Sequence, residues 1–155
     1  MKKLTLLLGV LVLVLVWGVP GARAQGNAQR GPDPSVLRDA ELEKDSLHNL
    51  EVARHYFKQK KAYVAAIKRC EEIIAGNPNF AKMDEVLFIA GMSSLRLSEN
   101  KGRQSPNLPA DKLREDAREY LTRLVQDFPD STFRKQSEDD LRSLGGPKQK
   151  VSSEQ

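Results

Sequence analysis

Cysteine is almost missing from this chain, aromatic residues make up only 6% of it, and histidine occurs twice. With Cys70 alone there can be no internal disulfide, so apolar packing must hold the fold. His48 and His55 fall on one predicted helix about 10 Å apart along its axis, too far for both to reach one metal ion. No third ligand accompanies them, and Glu51 with His55 at i, i+4 reads as a surface ion pair. Glycine-rich phosphate loops and serine-elbow motifs are also lacking. The residues therefore suggest no metal, no cofactor and no catalysis.

An excess of one charge is lacking too, once the chain start is set aside. "MKKLTLLLGVLVLVLVWGVPGARAQ" has two lysines, an apolar run from Leu4 to Trp17, helix-breaking Gly18 and Pro20, and an A-x-A ending at Ala22, Arg23 and Ala24. It reads as a secretory signal, residues 1–24, cleaved after Ala24. A spanning helix needs a longer run, roughly 18 to 20 apolar residues. The mature chain would begin at Gln25 as an exported protein. Removing Lys2, Lys3 and Arg23 from the 25 basic residues leaves 22 against 21 acidic ones, so the net charge of +4 belongs mostly to the discarded segment. Such a balance offers no electrostatic footprint for nucleic acid.

About 130 residues remain, enough for one domain with a modest core. "QGNAQRGPDPS" is polar and punctuated by glycine and proline, which makes 25–36 a flexible lead-in, and "GGPKQKVSSEQ" makes 145–155 a disordered tail. Between them, over 37–144, apolar residues recur at three and four with no convincing strand alternation, predicting an all-α domain. Five helices are expected: Leu37 to Lys60, Tyr63 to Ala75, Met83 to Leu97, Asp111 to Asp127 and Ser131 to Leu144. Gly76, Asn77 and Pro78 should stop the second helix through a left-handed glycine and the proline, and Pro129 should stop the fourth. Asp130 or Ser131 can cap the fifth. "SENKGRQSPNLPA" has no apolar pattern and reads as a surface loop.

What the chain does have is a repetition. Setting Ala66 of "YVAAIKRCEEIIAGNP" on Ala117 of "DAREYLTRLVQDFPD" pairs Cys70 with Leu121, Ile73 with Leu124, Ile74 with Val125 and Pro78 with Pro129. Agreement of residue class at fixed intervals marks a repeat. Each segment is the second helix of a hairpin, small where helices approach closely and apolar where it packs on its first helix. Leu50, Ala53 and Phe57 stripe one first helix, and Leu87, Ala90, Gly91 and Ser94 the other. Arg54 stands where a small residue is wanted, which Ala53 would supply if the "KQKKAY" turn carried one extra residue. Cys70 takes an apolar repeat position and reads as core, not as a nucleophile. Asp84 and Glu85 suit a helix start, and Glu138, Asp139 and Asp140 a solvated face.

This pattern resembles the tetratricopeptide repeat, about two copies followed by a capping helix. More narrowly, "VARHYFKQKKAYVAAIKRCEEIIAGNP" and "AREYLTRLVQDFPDSTFRKQSEDDL" resemble the BamD-type outer-membrane assembly lipoproteins, but without the lipid-attachment cysteine after the signal. The resemblance implies a bacterial periplasmic location, with at most indirect association with the outer membrane, and a protein or peptide partner, with the outer-membrane β-barrel assembly machinery as the candidate. The function expected is a protein–protein interaction module in outer-membrane protein assembly or envelope biogenesis. A general envelope adaptor and the regulatory subunit of an envelope hydrolase are the alternatives. A short stack leaves apolar ends, so a homo-oligomer is also compatible. In such folds the first helices build the binding face. That places His55, Lys58 and Gln59 beside the packing stripe of one repeat, and Phe88, Met92 and Arg96 beside that of the other. The latter three would form an apolar strip ending in a cation, or else lie buried against a neighbouring helix.

Overall fold

The computed structural model describes residues 34–148, with backbone alone for 34–39. The expected signal and most of the lead-in, residues 1–33, lie outside the described residues, as does 149–155. Five helices account for the described chain: α1 (Pro34–Arg54), continued by a π-helical turn (His55–Lys60), α2 (Tyr63–Gly76), α3 (Met83–Ser98), α4 (Ala110–Asp127) and α5 (Arg134–Ser143). No strand occurs among the described residues, and none of their helices is long and apolar enough to cross a membrane. The expected all-α class, packed as helical hairpins, is what is observed.

Each helix packs chiefly on its neighbours in sequence, and the α3–α4 contact is the most extensive. The reason lies in α3, "MDEVLFIAGMSSLRLS", where Ala90, Gly91, Ser93 and Ser94 are small and buried. A Cβ at Gly91 would sit 2.7 Å from Leu121 Cδ2 and 3.4 Å from the Ala117 carbonyl, so only glycine lets α4 come this close. The repeat stripe is the core: Leu50, Ala53, Ala66, Cys70, Ile73, Leu87, Ala90, Leu121 and Leu124 are all buried. A smaller cluster, Tyr63, Leu97 and Leu113 with Phe57, Val64 and Ile67 against it, underlies the end where α1 turns into α2.

The two halves agree in their backbone hydrogen bonds, not only in residue class. Asn77 (φ −141°, ψ 76°) ends α2 and donates its N–H to the Ile73 carbonyl at 2.8 Å. Phe128 (φ −128°, ψ 69°) ends α4 and donates to Leu124 at 3.0 Å. Phe80 then bonds Asn77 and Met83 bonds Phe80, while Ser131 bonds Phe128 and Arg134 bonds Ser131, each pair of bonds 3.1 Å long. All three bond correspondences hold at one constant spacing along the chain. Consequently α3 and α5 leave the same kind of turn.

Three expectations need correction. Gly76 is not left-handed; the stop comes from the extended residue before each proline, Asn77 or Phe128, whose α conformation the proline ring disfavours. The fifth helix starts at Arg134, later than Ser131, because the Ser131 hydroxyl accepts the Phe133 N–H at 3.2 Å and holds a turn there. Within the expected disordered tail, 145–148 are strapped along α4. Arg118 Nε donates to the Gly146 carbonyl at 2.6 Å, the Lys148 N–H to Thr122 Oγ1 at 3.0 Å, and Lys148 Nζ sits 3.1 Å from Glu115 and from Glu119.

Candidate interaction surface

The misfit at Arg54 resolves in two parts. Ala53 is buried in the stripe, and the extra residue is absorbed by the π-helical turn His55–Lys60. A π turn widens the helix by one residue, an insertion that often marks functional positions. Arg54 itself turns to α3, donating Nε and Nη2 to the two carboxylate oxygens of Glu85 at 2.6 Å each. The paired guanidinium holds the Glu85 carboxyl below its usual range, and Glu85 in turn raises Arg54. A second tie joins α2 to α4, where the Tyr120 hydroxyl donates to Glu71 at 3.4 Å. Burial, followed by the Glu71 charge, pushes the Tyr120 phenol upward. First helix is thus tied to first helix, and second to second.

Beyond the π turn, Lys61 is left-handed (φ 50°), a conformation that costs a non-glycine residue about 1 kcal/mol. It is held by the bond from the Ala62 N–H to the Tyr56 carbonyl, 3.0 Å, and by the Lys61 carbonyl accepting the Arg103 N–H, also 3.0 Å. Gly102 (φ 105°) fits against this spot; a Cβ there would meet the Lys61 carbonyl and the Tyr63 ring at 2.7 Å. Farther on, the Ala65 N–H donates to Gln104 Oε1 at 3.3 Å. The α3–α4 loop is therefore a surface loop, as expected, but a docked one.

Docking brings two cationic segments together. No acidic residue occurs between Glu51 and Glu71, or between Glu99 and Asp111. Of their cations, Lys58, Lys60, Lys61, Lys101 and Arg103 are exposed at this hairpin end, with Glu99 pairing Lys101 at 2.9 Å. Alongside lies a pocket of about 70 Å³, lined by Val64, Ile67, Leu108 and Leu113 together with Lys68, Tyr120 and two carboxylates, Glu71, which accepts the Tyr120 hydroxyl, and Asp116, which pairs with Lys112 at 2.8 Å. The opposite end differs in charge: a shallow depression holds Asp84, Asp127 and Asp130, of which Asp84 accepts the Ser131 hydroxyl at 2.7 Å.

Four of the six residues singled out from sequence gather at the cationic end. His55, Lys58 and Gln59 are exposed on the π turn. Arg96 lies half-buried beneath them, its guanidinium 5.4 Å from the Phe57 ring centre and 5.8 Å from that of Tyr63. Phe88 and Met92 do not form the open strip: they are 8% and 5% exposed, in the core, and Phe88 stacks on Phe133 at 4.6 Å. Phe133, in the turn before α5, covers Phe88. Arg103, Gly102, Leu108 and the cationic juxtaposition were missed, since only the folded loop brings them to α2; the acid-free runs themselves were visible.

Cys70 is fully buried, and burial pushes its thiol up to about 12. Such a thiol is protonated at neutral pH and unreactive. Among the described residues no three His, Cys, Asp or Glu side chains are placed to hold a metal ion. Comparison with family models, with curated proteins and with solved structures finds no match.

Proposed function

We propose that this chain is a non-catalytic protein–protein interaction module of the bacterial periplasm, a tetratricopeptide-like stack serving outer-membrane protein assembly or another part of envelope biogenesis. The observation that carries the interaction reading is the pair of ties, Arg54 to Glu85 and Tyr120 to Glu71, which hold two hairpins in one register with their tips on one exposed end. A scaffold of this kind works by geometry: rigid helices present a preformed surface, and a partner orders few groups on docking. Export is argued from the residue pattern of 1–24, and the envelope role from the resemblance to BamD-type proteins.

The test is mild crosslinking of the tagged chain in intact envelopes, followed by identification of bound proteins and intact-mass measurement of the chain itself. A mature chain beginning at Gln25, crosslinked to β-barrel assembly components, is the expected result. A chain retaining Met1 to Ala24 would defeat the export reading, and a chain that crosslinks to no protein would defeat the interaction reading.

A further inference from the structure

The hairpin end has two features that one ligand could satisfy together. Lys60, Lys61 and Arg103 are exposed cations on two segments joined through the Lys61 carbonyl. The pocket walled by Val64, Ile67 and Leu108 opens farther along α2, and Leu108 is 43% exposed at its rim. From Lys61 to the pocket is about 9 Å at 1.5 Å per helical residue, which an extended peptide spans in about three residues. At about 70 Å³ the pocket holds little more than two groups of water size, each about 30 Å³, and so suits a short aliphatic branch.

We propose that this end binds an extended acidic segment of a partner protein, its carboxylates on Lys60, Lys61 and Arg103 and an aliphatic side chain about three residues away in the Leu108 pocket. The proposal rests on the interaction reading above and adds the chemistry of the partner. Charge complementarity alone would also suit an anionic lipid surface. The lateral concave pocket decides for a peptide, because a flat layer of headgroups would not fill it. The acid-free stretches supply the sign: an approaching carboxylate meets five exposed cations, while Glu99 is engaged by Lys101 and the pocket's two carboxylates, Glu71 and Asp116, are engaged by the Tyr120 hydroxyl and by Lys112.

The experiment is fluorescence anisotropy with the purified mature chain and a labelled synthetic peptide carrying a run of aspartates and a leucine three residues on. The expected result is saturable binding that weakens as salt rises. Combined reversal, Lys60→Glu, Lys61→Glu and Arg103→Glu, should weaken it at least about tenfold, with unchanged circular dichroism. Lys135→Glu, an exposed site on α5, should leave it as it was. Leu108→Ser should lower affinity for the leucine peptide to that for the same peptide with serine in place of leucine. Equal affinity for the reversed and parent chains would overturn the proposal. So would cosedimentation with phosphatidylglycerol vesicles, abolished by the same reversal, with no peptide binding. Should envelope crosslinking find a protein partner that the reversed chain still binds, the interaction reading stands and this assignment falls. Without any protein partner, both fall.

Discussion

At the scale of single residues, the contacts that set this fold are those with no room to spare. Gly91 faces Leu121, and Leu121 and Leu124 are fully buried. Leu121→Ala and Leu124→Ala should each cost about 2 to 5 kcal/mol in denaturant titration, and Gly91→Leu should destabilise through overpacking against α4. The Arg54–Glu85 pair makes a different claim. Because the Glu85 carboxyl is held below its usual range, the pair stabilises fully above the ordinary glutamate value near ~4.3 and loses that contribution as pH falls through the lowered one. Glu85→Gln should therefore cost about 1 to 3 kcal/mol at neutral pH, and the gap to the parent should close in acid, as urea titrations at both pH values would show. The apolar members of these contacts were legible, since their spacing reveals the buried stripe. Arg54 was visible only as a misfit: its partner lies on another helix, and no periodicity reports that. Phe88 and Met92 were ambiguous for a third reason. "VLFIAGMSSL" is apolar nearly all round, so its pattern does not say which face stays open.

For the elements, the lesson is in their ends. All five helices could be placed from periodicity and proline, while their termini depended on bonds the sequence does not display, such as the Ser131 hydroxyl on the Phe133 N–H. The π turn was foreshadowed by the extra residue in "KQKKAY", yet the insertion sits in the helix and not in the loop. Gly102 is the pin of the docked α3–α4 loop. Gly102→Ala combines a left-handed backbone with contacts of 2.7 Å at the Lys61 carbonyl and the Tyr63 ring, so it should destabilise by about 1 to 3 kcal/mol. Hydrogen exchange should quicken at Arg103, whose N–H the Lys61 carbonyl holds, while the amides of α5 keep their protection. Unchanged exchange at Arg103 would mean that the loop is docked by something else.

Across the whole molecule, packing concentrates on α3, which meets α2 on one side and α4 on the other. Cys70 on α2 reports on that arrangement, being fully buried with its thiol pushed up to about 12. Its labelling by a thiol reagent should follow the same denaturant midpoint as helical circular dichroism; labelling well before that midpoint would reveal a first hairpin opening on its own. The neighbour-on-neighbour order of the helices bears also on how quickly the chain finds its structure. Most partners are adjacent elements, so the segments that must meet are close together along the chain, and even the long α3–α4 loop adds little closure entropy. Helical domains with such local contacts fold in about microseconds to milliseconds. The first hairpin needs nothing downstream of α2 to begin forming, so it can start to assemble while later helices are still being delivered.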